Sequence, residues 1–349
     1  MRVLILVLLL ALLLIACSGA QATDTPSGPR TIRLMSHDSF AASEDIIAEF
    51  EATFNAQVEL LPSGDAGAAL NQAILSKGNP LADVFFGVDN TFLSRALEAG
   101  IFEPYASPEL ANVPDDLELD PEHRLLPVDY GDVCLNYDKV WFKERNIAPP
   151  TNLEDLTQPE YEGLLVVENP ATSSPGLAFM LATIGHFGQD GWLDFWAALR
   201  DNDVLVTSGW EDAYWGASTW AGGGDRPIVA SYATSPAAEV YFSEGAMEEP
   251  PTGNVLGAGS CFRQIEFIGI LTGGQNRDLA EKLIDFMLGQ RFQEDIPLQM
   301  FVFPAREDAN LPDFYQWADR PSQPAQVDAA DIQTNRETWI QQWTETVLR

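Results

Sequence analysis

Two short strings in this chain repeat one device. Ser173-Ser174-Pro175 and Thr234-Ser235-Pro236 each put a hydroxyl at a helix N-cap and a proline in the first turn. The N–H groups of such a start point outward and can meet an anion or a hydroxyl. Capping alone explains either string, but their recurrence at neighbouring strand ends points to one shared wall. Trp210, after Gly209, and Tyr232, before Ala233 and the second string, add flat faces that suit a planar or cationic ring. Trp192, Trp215 and Trp220 sit at helical spacings and read as packing. Asp65 precedes a helix elsewhere in the chain, where it either caps that helix or accepts a hydrogen bond from a ligand. The chemistry these residues fit is non-covalent capture of a small, flat, partly charged molecule.

Arrangements for covalent chemistry are weaker. His37, His123 and His186 are the only histidines, and none lies in an HExxH pattern or at zinc-ligand spacing. The chain has no G-x-S-x-G, no Walker loop and no G-x-G-x-x-G after a strand. His37-Asp38-Ser39 brings three triad residue types together, but neighbours on an extended segment alternate faces and do not converge. Neither catalytic residues nor a metal or cofactor site is expected. Cys134 and Cys261 form a single disulfide or stay as two buried thiols, with the two readings open at this level.

The elements that carry these residues alternate. Thr31–Ser36, Val58–Leu61 and Ala82–Val88 read as strands, separated by helices with apolar stripes at Ile46, Ile47, Phe50 and Phe54, and at Leu70 and Ile74. Ser43 is placed to cap the first of these helices, and Asp89-Asn90 to start a third. This β-α-β-α-β order predicts a parallel sheet with right-handed crossovers. A second α/β unit follows: strands at Val133–Tyr137, Leu164–Val167 and Ile228–Ala230, with helices through Leu177–Ile184 and Trp192–Leu199. Gln264–Leu271 reads as a strand returning to the first unit, followed by helices at Asp278–Leu288 and Arg291–Ile296. The tail from Asp328 is an amphipathic helix with Ile332, Trp339, Ile340, Trp343 and Val347 inward. The expected fold is α/β, with two lobes, the second inserted in the first. Residues 31–130 with 262–349 form lobe one and 131–261 an inserted lobe two, with a hinge and a cleft for the ligand between them.

The N-terminus has a basic start at Arg2 and an apolar run from Val3 to Ala16, shorter than the roughly 20 residues of a spanning helix. It reads as a secretory signal over 1–16, with Leu14-Ile15-Ala16-Cys17 similar to a bacterial lipobox that would lipidate Cys17. Residues 17–30 read as a tether. The expected location is therefore extracytoplasmic, on the periplasmic side of a bacterial membrane, with membrane contact only through the lipid. With 52 acidic against 19 basic residues and a formal charge of −33, the chain repels nucleic acid and anionic lipid and favours cationic ligands.

Six landmarks in order carry a resemblance: His37–Ala42; Ala82-Asp83-Val84 with Gly87–Asn90; Asp129-Tyr130-Gly131; Thr172–Leu177; Ser208–Tyr214; and Ser231–Ala237. Together with the tail around Trp339 and Trp343, they resemble the periplasmic thiamine-binding proteins of ABC importers, within a class that includes ferric-ion and polyamine binders. The resemblance implies the two-lobe periplasmic-binding-protein fold of the class II type, α/β, in a monomer that takes up thiamine or its phosphates and hands it to an ABC permease. It implies ligand contacts at Asp65, Ala66, Ser173, Ser174, Trp210, Tyr232, Ala233, Thr234 and Ser235, and weaker ones at His37 and Phe301. His37, Ala238 and Phe301 stand where the family has tyrosine, tyrosine and tryptophan, and Ala66 replaces a glycine. The alternatives are a ferric-ion or polyamine receptor of the same fold, or a secreted thiamine-cleaving enzyme using Cys134 or Cys261.

Overall fold

A computed structural model describes residues 28–349. The signal, Cys17 and the tether up to residue 27 lie outside the described residues. The chain runs β1 (Arg30–Ser36), α1 (Glu44–Phe54), β2 (Ala56–Pro62), α2 (Ala66–Leu75), β3 (Val84–Asp89), α3 (Leu93–Ala99), β4 (Phe102–Glu103) and β5 (Leu126–Asp138). Then come α4 (Lys139–Arg145), β6 (Leu165–Glu168), α5 (Ser174–Asp201), β7 (Leu205–Thr207), β8 (Ile228–Tyr232), α6 (Ser235–Phe242) and β9 (Thr252–Val255). The chain closes with β10 (Phe262–Leu271), α7 (Arg277–Leu288), α8 (Gln290–Gln293), α9 (Ile296–Gln299), β11 (Phe303–Pro304) and α10 (Ala329–Val347).

The strands line up as β2-β1-β3-β10-β5-β8-β6-β7. Within the first part β1 pairs with β3 in parallel, as the β-α-β order requires. In the second, β8, β6 and β7 are parallel. The two parts join through β10 and β5, which are antiparallel to each other. β5 is much longer than the expected Val133–Tyr137. Its first half faces β10 and β11, and its second half faces β8 and β9. Pro127 and the Asp129–Asp132 stretch masked that first half, because they interrupt the apolar alternation of a strand.

The helices differ from expectation in instructive places. The two helices expected between Leu177 and Leu199 are both present within α5, separated by Gly188 at φ 69°. Ser43 stands at the N-cap of α1, yet its hydroxyl donates to Asp295 Oδ1 (2.5 Å) rather than capping. The expected helix at Arg291–Ile296 is two single turns, α8 and α9. The helix after Asp89 starts only at Leu93, because Asp89 Oδ1 first accepts the N–H groups of Thr91 and Phe92. The tail helix α10 buries all five expected residues, and Trp343 meets Trp196 of α5 edge to face at 5.3 Å. Cys134 and Cys261 form a disulfide. Both are buried and pack with Ala233, the residue that follows β8.

Candidate functional site

The strand ends deliver their loops to one cavity of about 990 Å³. Nine of the expected residues line it: His37, Asp65, Ala66, Ser174, Trp210, Tyr232, Thr234, Ser235 and Phe301. Ser173 and Ala233 do not. Ser173 is buried at the start of α5, and Ala233 packs behind the wall on the disulfide. Glu211, Tyr214, Phe242, Gln264, Glu266 and Met300 also line the cavity, and the sequence reading did not single them out. Trp215, expected as packing, lines it as well and stays 40% exposed. Trp192 and Trp220 do pack, the former fully buried and the latter against Tyr214.

Trp210 is fixed from three sides. Its indole Nε1–H donates to Ser231 Oγ (2.8 Å), its backbone N–H donates to Asp65 Oδ2 (3.0 Å), and its ring stacks on Tyr214 at 4.8 Å. Asp65 caps α2 through Ala66 N–H and also accepts the Ser174 N–H at the start of α5 (3.2 Å). The two readings of Asp65 thus merge: it caps its own helix and fills the N-terminus of α5. That N-terminus was expected to meet a ligand hydroxyl or phosphate, and its Ser174 N–H is already engaged. Close approach needs glycine at position 209, where a Cβ would lie 2.9 Å from Asp65 Oδ2. Gly87, at φ +106°, makes room for His37, whose Cδ2 would be 2.4 Å from a Cβ there.

The triad residue types at 37–39 separate. Ser39 Oγ donates to Glu211 Oε1 (2.9 Å), and His37 Nε2 faces Glu266 Oε1 at 3.3 Å. Burial pulls the imidazole pKa down, but Glu266, Asp65 and Asp38 together outweigh it and the net shift is up. Tyr232 donates its hydroxyl to Gln264 Oε1 (3.0 Å). Thr234 Oγ1 is fully buried against the cavity with no partner. Among the described residues, no group of His, Cys, Asp and Glu is arranged to hold a metal ion.

The cavity has carboxylates at Asp38, Asp65, Glu211 and Glu266, six aromatic walls, and no lysine or arginine in its lining. Burial raises the pKa of Asp65, Asp129 and Glu168 above the ordinary carboxyl range. Burial likewise pushes Asp89 up to about 7. The sign for stability follows from Asp89: between about pH 4 and 7 the folded chain keeps its proton while the unfolded chain has lost it, and the raised pKa values of the other three act in the same direction. The Asp89 contribution to stability therefore falls as pH rises from about 4 to 7, by up to about 4 kcal/mol. A melting temperature higher at pH 5 than at pH 8 is expected by calorimetry; the reverse order would contradict it.

Two α/β halves joined by long crossing strands, with an acid- and aromatic-lined cavity, define a two-lobe solute-capture protein. The bacterial extracellular solute-binding protein family matches residues 79–326, and the chain belongs to that family. It is 28% identical over 326 residues to the thiamine-binding periplasmic protein of Escherichia coli (strain K12), covering 91% of this chain and 94% of that one. A solved periplasmic thiamin binding protein superposes with a TM-score of 0.81 at 27% identity, over 92% of this chain and 99% of that one. A ferric binding protein from Campylobacter jejuni has a TM-score of 0.73 at 19% identity, over 90% and 99%, and shares the fold.

Proposed function

We propose that this protein captures thiamine in the cleft and delivers it to an ABC permease. The observation that carries the ligand is the lining: flat aromatic walls and several carboxylates, with no lysine or arginine. That environment favours a cationic ring system, through ring stacking, cation–π attraction and the negative field. The similarity to thiamine-binding relatives over nearly the whole chain points the same way. Trp210, Tyr232 and Phe301 supply ring contacts; Asp65, Ala66, Ser174, Thr234 and Ser235 surround the polar end; Ser173 and Ala233 support them from behind. With Asp65 on the start of α5 and no lysine or arginine in the lining, unphosphorylated thiamine fits better than its phosphates.

The lobes on this reading are 31–130 with 262–349, and 131–261, with β5 crossing between them and β10 starting at the return to lobe one. A lipid on Cys17 holds a monomer to the periplasmic face of the membrane. A thiamine-cleaving activity through a cysteine has no support, because both candidate thiols are joined to each other. A polyamine, also a flexible cation, is the second reading that the acidic lining favours. Titration calorimetry with thiamine, with spermidine as comparator, tests the assignment.

A further inference from the structure

The deep end of the cavity carries a feature that ring stacking does not use. Asp89, Glu266 and Asp129 lie directly opposite one another across three adjacent strands, β3, β10 and β5. Like charges opposed in this way destabilise a sheet. All three are nevertheless buried, with Asp89 and Asp129 at 0% and 1% exposure. Asp89 is satisfied by Thr91 and by Ser174, whose hydroxyl donates to Asp89 Oδ2. Asp129 receives no donor on either oxygen. Burial and the facing Glu266 carboxylate both raise its carboxyl pKa, which favours a proton shared between the two cross-strand neighbours. Glu266 also has the His37 imidazole at 3.3 Å, and it lines the cavity. It is thus supported from behind as a hydrogen-bond acceptor facing the ligand.

Gln264 stands two residues earlier on β10, on the same face, and also lines the cavity. Its Oε1 accepts from the Tyr232 hydroxyl, so its amide N–H2 is the donor end. The register of β10 here is pinned by Asn90, which accepts the Ile265 N–H and donates to the Arg263 carbonyl. An acceptor and a donor side by side at the closed end, with the exposed aromatics Trp215 and Phe242 at the mouth, complement the edge of a 4-aminopyrimidine. There an exocyclic amino donor adjoins a ring-nitrogen acceptor.

We propose that Glu266, backed by Asp129 and His37, and Gln264 read the aminopyrimidine edge of the ligand and so set specificity for it. This rests on the thiamine reading above. An acceptor built to receive an amino hydrogen bond is left unpaired by a ring bearing an oxo group, and such a site rejects the wrong ring strongly.

The test is a tryptophan-fluorescence titration of the wild-type protein and of Glu266→Gln with thiamine and with its 4-oxo analogue. Wild type is expected to prefer thiamine by at least about 100-fold. Glu266→Gln, whose amide can both donate and accept, is expected to reduce that ratio by about tenfold or more. The wild-type comparison needs no variant and stands even if the substitution unfolds the chain. Tight thiamine binding with the oxo analogue within about threefold would overturn this proposal and leave the thiamine reading standing. An unchanged ratio in folded Glu266→Gln would overturn it too. If wild type bound neither compound, the thiamine reading itself would fall, and this proposal with it.

Discussion

Trp210→Ala is expected to weaken thiamine binding by about 10- to 100-fold, and Tyr232→Ala by a similar factor. Trp210 is anchored by Ser231, by Asp65 and by stacking on Tyr214, so its ring is held in place before any ligand arrives. A pre-positioned ring loses little side-chain entropy on binding, and its stacking and cation–π attraction appear as affinity. Tyr232 is tilted against Trp210 at 6.5 Å and tied to Gln264, so its loss removes a wall and also releases a deep-end amide. Trp141→Ala, on a helix whose tryptophan packs with Phe142 and Arg145 outside the cavity lining, is the matched control. Calorimetry of all three separates a contact role from a general loss of stability. Unchanged affinity in both Trp210→Ala and Tyr232→Ala would rule the site assignment out.

Opening the disulfide is the second large effect. Cys134 and Cys261 are 127 residues apart in sequence, and closing a loop of that length stabilises a chain by about 5 kcal/mol in the loop-entropy view, with measured losses of about 2–5 kcal/mol. Cys134→Ser with Cys261→Ser should therefore lower the melting temperature by about 10 °C, as should strong reductant. The bond also backs Ala233, whose N–H donates to the Asp132 carbonyl (2.8 Å), and Ala233 leads directly into Thr234 and Ser235 of the cavity wall. Reduced protein should consequently bind thiamine more weakly at temperatures where it is still folded. A melting temperature indifferent to reductant would contradict this account of the bond.

The parts of the fold that obey simple periodicity were legible. The inward residues of α10 recur at helical spacing, and all of them are buried. The β-α-β-α-β opening gave the parallel β1–β3 pairing. The chain hid what it achieves by breaking its own patterns. β5 begins at Leu126 because Asp129 and Asp132 are buried through cross-strand neighbours and Arg263 rather than by being apolar. The segment after Trp210 looked like an ordinary helix with packing aromatics; it is a single π-helical turn over Asp212–Ala217, which swings Trp215 to the cavity rim while Tyr214 is buried beneath Trp210. Glu211, Gln264 and Glu266 became visible as site residues only when separate strand ends met. The pairing of Cys134 with Cys261 likewise depends on a contact that no local signal encodes.

The most direct test of the central claim is calorimetric titration of the mature protein with thiamine, spermidine and ferric citrate under one set of conditions. The account predicts one thiamine per chain, bound at least about 100-fold more tightly than either of the others, a gap of about 2.7 kcal/mol or more. Tight binding of spermidine or ferric citrate with no heat from thiamine would contradict it.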